Sequence, residues 1–200
     1  MSFNLDKNFR LQLSLLLLCI LLSTFTIPTQ AQPFAEDHRV FLPLITVSDS
    51  SAGGNHQPNA QELELAKLIK EHPNQMRVVM NYDPILSKVA RERALDMGTR
   101  DYFGHVNPDG HGPNYLVQQA GYILPSFYDQ SKKANNIESI YAGSPDPERA
   151  MDVWLGSDGH HNHILGQHSF YAEQTDYGIG YAYVPGSRYG HYWVVITARH

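Results

Sequence analysis

Residues 154–165 (WLGSDGHHNHIL) place three imidazoles within four positions, and His105 and Glu138 stand upstream of them. Neutral imidazoles bind divalent cations through a ring nitrogen, and two of them with a carboxylate and an open position have the composition of a catalytic zinc site. The same groups suit proton transfer near neutral pH. His105, Glu138 and His160 are 33 and 22 residues apart, so no local motif such as His-Glu-x-x-His fixes them as one site. Three readings stay open: a hydrogen-bonded network that holds loops, a weak site for zinc or another divalent cation on His105 and His160, and catalysis with a base that the sequence does not identify.

His160 and His163 are three apart and share a helix face, open to one metal or to division between an inward network residue and a solvated cap. His161 and His163 are read in the second way, because Ser157 and Asp158 already explain the segment as a helix start. Ser157 lacks the setting of a nucleophile elbow, which counts against a Ser-His-Asp hydrolase. Tyr181, Tyr183, Tyr189 and Tyr192 read as sheet-packing residues rather than a carbohydrate or lipid platform.

The elements that must position these groups alternate in type from Gln61 onward. Leu65, Leu68 and Ile69 line a first helix that ends near Pro73. Asp83-Pro84 supplies an N-cap and a proline at the first helical position; after it, Leu86, Val89, Ala90, Ala94 and Met97 recur at spacings of three and four, a stripe facing a core. Asn107-Pro108-Asp109-Gly110 is a turn, and a shorter helix spans 114–120 before Gly121. Asp146-Pro147 repeats the cap, with Ala150, Val153 and Trp154 on one face and Gly156 at the stop. Residues 178–184 and 189–197, rich in Tyr, Val, Ile and Trp around Pro185-Gly186-Ser187-Arg188, predict an antiparallel hairpin. Alternation sends His191, Trp193 and Val195 to one face and Tyr192, Val194 and Ile196 to the other. Gly178-Ile179-Gly180 has neither a following helix nor a third glycine, so it marks close backbone packing, not a dinucleotide loop.

Lys7 and Arg10 precede an apolar run over 11–27, and Thr29-Gln30-Ala31 follows with small residues where a signal peptidase reads. Residues 1–31 are therefore expected to be a signal peptide. The run is diluted by Gln12, Ser14, Ser23, Thr24 and Thr26 and falls short of the ~20 apolar residues that span a bilayer, so the mature chain is expected to carry no membrane span. Cys19, the single cysteine, leaves with it, and the domain is held by its core without disulfides. Residues 32–58 read as a flexible linker: SDSSAGGNHQP over 48–58 cannot bury enough apolar surface to order itself, while the apolar patch over 40–45 has no assigned role. Residues 59–200 suffice for one domain. Without Asp6, Lys7 and Arg10 the chain has thirteen basic and nineteen acidic residues, a net charge of −6 that argues against a nucleic-acid groove or a polybasic membrane surface.

DYFGHVNPDG, ESIYAG, WLGSDGHHNHIL, YGIGYAY and GHYWVV follow one another in the order of the motifs of the CAP superfamily. Residues 61–198 resemble that family of cysteine-rich secretory proteins, antigen 5 and pathogenesis-related plant proteins, and within it the disulfide-free bacterial branch. The resemblance implies an α+β fold: an α-β-α sandwich with a central antiparallel sheet between helical layers and an open cleft lined by His and Glu. His105 matches the family's first histidine, Glu138 the glutamate of Gly-Glu-Asn-Ile, and His160 the histidine of the bacterial Ser-Pro-Gly-His-Arg-x-Asn-Ile-Leu element. Ser157 stands where animal and plant members carry a second glutamate. Tyr192 falls where animal members have their second histidine, so the resemblance implies that Tyr192 lines the cleft through its hydroxyl while His191 faces away. Asn136-Ile137 in place of Ala-Gly, His161 in place of Arg, and Val194-Val195 in place of Thr-Gln are departures, and the last removes two polar groups from the end of the cleft.

Two classes of function follow. One is a secreted, extracellular binding domain whose cleft takes a small apolar molecule, a cell-wall component or another protein. The other is a metal-assisted extracellular hydrolase acting on peptide or cell-wall polymer. The lack of a recognisable nucleophile or local metal motif favours the first.

Overall fold

The computed structural model describes residues 57–200; the expected signal peptide over 1–31 and nearly all of the linker over 32–58 lie outside the described residues. Asn59 opens helix α1 (Ala60–Lys70) with a capping box, its side chain accepting from the Glu62 amide while the Glu62 carboxylate takes the Asn59 amide. Glu62 is buried because it also pairs with Arg91 and accepts from the Tyr181 amide, which ties α1 to two later elements. The two-residue strand β1 (Asn81–Tyr82) leads to α2 (Pro84–Thr99), whose N-cap Asp83 accepts from the amides of Ile85 and Leu86. Then come α3 (Pro113–Gln119), β2 (Glu138–Ala142), α4 (Pro147–Leu155), α5 (Asp158–Leu165), α6 (Ser169–Ala172), β3 (Asp176–Tyr183) and β4 (His191–Ala198).

The sheet runs β1-β3-β4-β2, with the predicted β3-β4 hairpin at its centre, β2 antiparallel to β4, and the short β1 pairing in parallel with β3. Alternation along β4 builds the layers. Tyr192, Val194 and Ile196 pack with Leu86, Val89, Ala90, Ala94 and Met97 of α2; Trp193 and Val195 pack on the opposite face with Leu65 and Ile69 of α1, Trp154 of α4 and Ile164 of α5. The result is an α-β-α sandwich. Val153, expected on the buried face of α4, is 39 % exposed, and Met151 is buried in that layer instead.

Strand β2 has no counterpart in the apolar pattern of the sequence. Its first two residues, Glu138 and Ser139, are polar and buried, so neither face shows the apolar/polar alternation by which a strand is read. Their partners come from distant elements. Pairing of Glu138 with Ile196 and Ala142 with Tyr192 fixes which end of the sheet each polar group occupies.

Gly178 and Gly180 let α2 lie against β3. A Cβ on Gly180 would stand 2.1 Å from the Arg91 amide nitrogen, and one on Gly178 would stand 2.2 Å from the Leu86 carbonyl carbon, contacts that only backbone movement could relieve. Gly180→Ala is expected to destabilise the domain by about 1–3 kcal/mol, the usual cost of overpacking, whereas Gly104→Ala, with nothing within 4 Å of its added carbon, should stay within about 0.5 kcal/mol. Urea denaturation of the two variants measures the difference; equal midpoints would show that the helix and strand are not in this contact.

Candidate functional site

The site begins with an arginine on the apolar stripe of α2. Arg93 stands four residues from both Val89 and Met97, which points its side chain into the core, where it is 2 % exposed. A guanidinium there needs partners. Its Nε donates to Glu138 Oε2 at 2.9 Å and its Nη2 to Glu138 Oε1 at 3.1 Å, a fork on a carboxylate with no exposed surface. Nη2 also donates to the carbonyls of Gly104 and His105 at 2.9 and 3.0 Å, and Nη1 to the Tyr102 hydroxyl at 2.7 Å. One side chain therefore holds β2 and the histidine loop together. Tyr102 passes the contact on to Asp96, which Arg100 grips through both oxygens.

His105 completes the carboxylate, its Nδ1 lying 2.9 Å from Glu138 Oε1. Burial alone would raise the Glu138 pKa, but the Arg93 charge and the two hydrogen-bonding partners outweigh it and hold the carboxyl below its ordinary value. The ionised Glu138 makes Nδ1 the protonated nitrogen of His105 and leaves Nε2 without a partner among the described residues. Asn135 fixes the start of the strand, accepting from the Glu138 amide at 2.9 Å and donating to its carbonyl at 3.1 Å.

His105, Glu138 and His160 line one cavity of about 210 Å³, with Asn136, Ser139, Ser157, His163 and Tyr171 also on its wall. His160 rides on the first turns of α5 and its ring makes no hydrogen bond among the described residues; burial, then the neighbouring His105, lowers its pKa. Ser157 occupies the N-cap position of α5, but its hydroxyl does not cap the helix and is left on the cavity wall. The far end of α5 is held by Arg77, which donates to the carbonyls of Ile164 at 2.9 Å and His163 at 2.6 Å, and by the left-handed Gly166.

His163 faces inward and is 3 % exposed. Its hydrogen bonds determine the tautomer. Gln174 Nε2 donates to the Asn136 carbonyl, so Gln174 Oε1 accepts the Thr197 hydroxyl at 2.7 Å; that hydroxyl has no second proton, so His163 Nε2 donates to it at 2.8 Å. Nδ1 is therefore bare and accepts from the Ser139 hydroxyl at 2.7 Å. A serine donating to an imidazole is the first half of a nucleophilic dyad. The second half is missing: among the described residues no carboxylate orients His163, and burial together with the Arg77 cation pushes its pKa well below the ordinary value, opposing the imidazolium that proton transfer would create.

Tyr192 and His191 are elsewhere. Tyr192 is fully buried on the α2 face of β4, and its hydroxyl donates to Ser187 Oγ at 3.1 Å and accepts from the Tyr189 amide at 3.3 Å. It pairs with Ala142, whereas the cavity lies at the Glu138–Ile196 end, four residues or ~13 Å along the strand. The expectation that Tyr192 lines the cleft is thus corrected by position along β4. His191 bonds Tyr181 at 2.7 Å and stacks between Tyr181 and Tyr183.

Arg93 and Ser139 are site residues that the sequence reading passed over, and His163, which it left between an inward network residue and a solvated cap, is the inward one. Signals existed for all three: a charge on an apolar helical stripe, and Ser and His at the two Asn positions of the Gly-Glu-Asn-Ile and Arg-x-Asn-Ile-Leu patterns.

His163 makes stability pH-dependent. The unfolded chain takes up this proton near pH 6.5 and the folded chain only well below it, so folding stability falls as the pH drops through 6.5, by up to about 1.4 kcal/mol per unit. Glu138 has a depressed pKa, and its contribution, complete above about 4.5, is lost as the pH falls below that value. Urea midpoints from pH 7.5 to 4 should show the first slope in the native chain and a smaller one in His163→Gln, where His160, its pKa also lowered, still contributes; equal slopes would place His163 in contact with water.

Comparison with known proteins gives one family. Residues 65–197 match CAP, the cysteine-rich secretory protein family. The uncharacterized protein YkwD of Bacillus subtilis (strain 168) is 29 % identical over 136 residues, which are 68 % of this chain and 46 % of YkwD, so this chain spans about half of that relative. An extracellular protein containing an SCP domain from Bacillus anthracis str. Ames superposes with a TM-score of 0.54 at 19 % identity, over 74 % of this chain and 45 % of that one. An outer surface protein of Borrelia burgdorferi gives 0.53 at 18 % identity, over 74 % of this chain and all of the other. At these identities the structural likenesses concern the fold. The profile match spans most of the described domain, and the chain belongs to the CAP, cysteine-rich secretory protein, family.

Proposed function

We propose that this chain is a secreted, extracellular binding domain whose ligand enters the cavity of His105, Glu138 and His160. The observation that carries the reading is the state of Glu138: both its oxygens are engaged by Arg93, one of them also by His105, and the group has no exposed surface. Such a carboxylate orients an imidazole; it is poorly placed to move a substrate proton. His105 Nε2 and the His160 ring are what the cavity offers a ligand. Secretion is supported by the extracellular and outer-surface descriptions of the structural neighbours, and no helix of the described residues is long and apolar enough to cross a membrane.

These two imidazoles fit a weakly held divalent cation such as zinc. Among the described residues no three His, Cys, Asp or Glu side chains gather as a metal-ligating group, and a catalytic zinc takes three protein ligands. Bound there, the cation would act as a Lewis acid toward an oxygen of the ligand. Glu138 serves by fixing the tautomer of His105.

Calorimetric titration with zinc is expected to show weak binding that fades in acid as protons compete for the imidazole nitrogens, and none in the His105→Ala, His160→Ala double variant; unchanged binding in that variant would overturn the assignment. The hydrolase alternative draws on the Ser139–His163 contact. A fluorophosphonate probe should leave Ser139 unlabelled, and labelling that disappears in His163→Gln would replace binding by catalysis.

A further inference from the structure

The cavity does not end at His160. Asn136 and Tyr171 are shared with a second, more open depression of about 390 Å³, whose other walls are Asn162, His168 and Phe170. The two depressions adjoin across these shared side chains, and together they reach the scale of ligand clefts, about 300–1,000 Å³.

The hydrogen-bonding capacity of this groove can be counted. Asn136, which lines both depressions, accepts from Asn114 Nδ2 and the Asp129 amide through Oδ1, and its Nδ2 is a donor without a partner among the described residues. His168 Nδ1 accepts the Phe170 amide, so Nε2 carries the ring proton and is a second donor. Asn162 and the Tyr171 hydroxyl make no side-chain hydrogen bond among the described residues, and each can both donate and accept. At the other end His105 Nε2 is an acceptor whenever no cation occupies it.

Charge is nearly absent. The second depression is lined by no acidic, lysine or arginine side chain, and the first has only Glu138, buried and matched by Arg93. Two rings stand along the groove: Phe170 and Tyr171, 5.3 Å apart and inclined at 72°. Both are braced, Phe170 by Tyr128 at 5.3 Å and Tyr171 by His163 at 5.4 Å. Braced rings bind at small entropic cost.

We infer that the groove from His105 to His168 binds an uncharged oligosaccharide, whose hydroxyl or amide groups meet the alternating donors and acceptors while sugar faces lie on Phe170 and Tyr171. A purely apolar ligand would leave Asn136, Asn162 and His168 desolvated without partners, and a charged polymer finds no counter-charge. The inference rests on the proposed binding role of the cavity and names its ligand class.

The test uses the mature chain labelled with ¹⁵N and titrated with chitohexaose, cellohexaose and heparin, followed by amide shifts and calorimetry. Either neutral oligosaccharide should shift resonances over 160–171, the comparison between them separating acetamido-bearing from plain sugars. Asn162→Leu, on a partly exposed position of α5, and Tyr171→Leu should each weaken binding by about tenfold or more, the loss of one charge-free contact set, and Asn162→Leu, outside the His105–His160 cavity, should keep the urea midpoint and zinc affinity. Oligosaccharides without effect, while zinc still binds through His105 and His160, would overturn the inference and leave the binding role intact. Loss of both would overturn the two together. Preferential binding of heparin would also overturn the inference.

Discussion

The fork between Arg93 and Glu138 is the contact on which the site depends. It joins the longest helix to the edge strand that carries two cavity residues, and the same guanidinium holds the carbonyls of Gly104 and His105. A buried ion pair adds little net stability, because desolvation of both charges offsets their attraction, but removing either partner leaves a bare charge at a cost of about 3–5 kcal/mol. What the pair supplies is position. The helix, the histidine loop 12 residues on and the strand 45 residues on are fixed relative to one another by one planar group, and His105 inherits its orientation from the same carboxylate.

A second buried arginine performs the matching task on the other side of the cavity. Arg77 holds the C-terminal carbonyls of α5, and so the helix that bears His160 and His163, and its acceptors among the described residues are neutral oxygens: the backbone of His163, Ile164 and Gln174, the Thr197 hydroxyl and the Gln75 side-chain oxygen. The contrast between the two is a direct reading of environment. Burial without a carboxylate lowers the Arg77 pKa to about 10; burial opposes the charge on Arg93 as well, but Glu138 reverses the direction and raises it. Both remain cations at neutral pH. Of the two, Arg77 bears on His163, where burial first and the Arg77 charge second keep the imidazole neutral.

The elements that expose one face were legible in the sequence. The α2 stripe and the alternation of β4 predict the two layers residue by residue, because each apolar position there has a single job, burial. The motif order likewise located His105, Glu138 and His160, which the fold brings to one cavity. Strand β2 was opaque for the opposite reason: its buried positions hold a carboxylate and a hydroxyl whose partners, Arg93 and His163, come from 45 residues before and 24 after. Tyr192 shows a different limit. The face to which alternation assigned it is the face it occupies, yet a motif gives no position along the strand, and the cavity lies at the other end of the β2-β4 pairing.

His163 and Ser139 carry this chain away from the pattern it resembles. Amides at both positions could satisfy each other without titrating; a serine and a histidine can do so only in one proton arrangement, with the hydroxyl donating to bare Nδ1 and Nε2–H directed at Thr197. That arrangement is closed by Gln174 on one side and by the charge of Arg77 on the other. It spends the serine proton on holding the imidazole in place. The pair therefore stiffens the floor of the cavity, and chemistry or recognition is left to the side chains with unmatched hydrogen-bonding capacity: His105 Nε2, His160, Asn136 Nδ2 and, farther along the groove, Asn162, His168 and Tyr171.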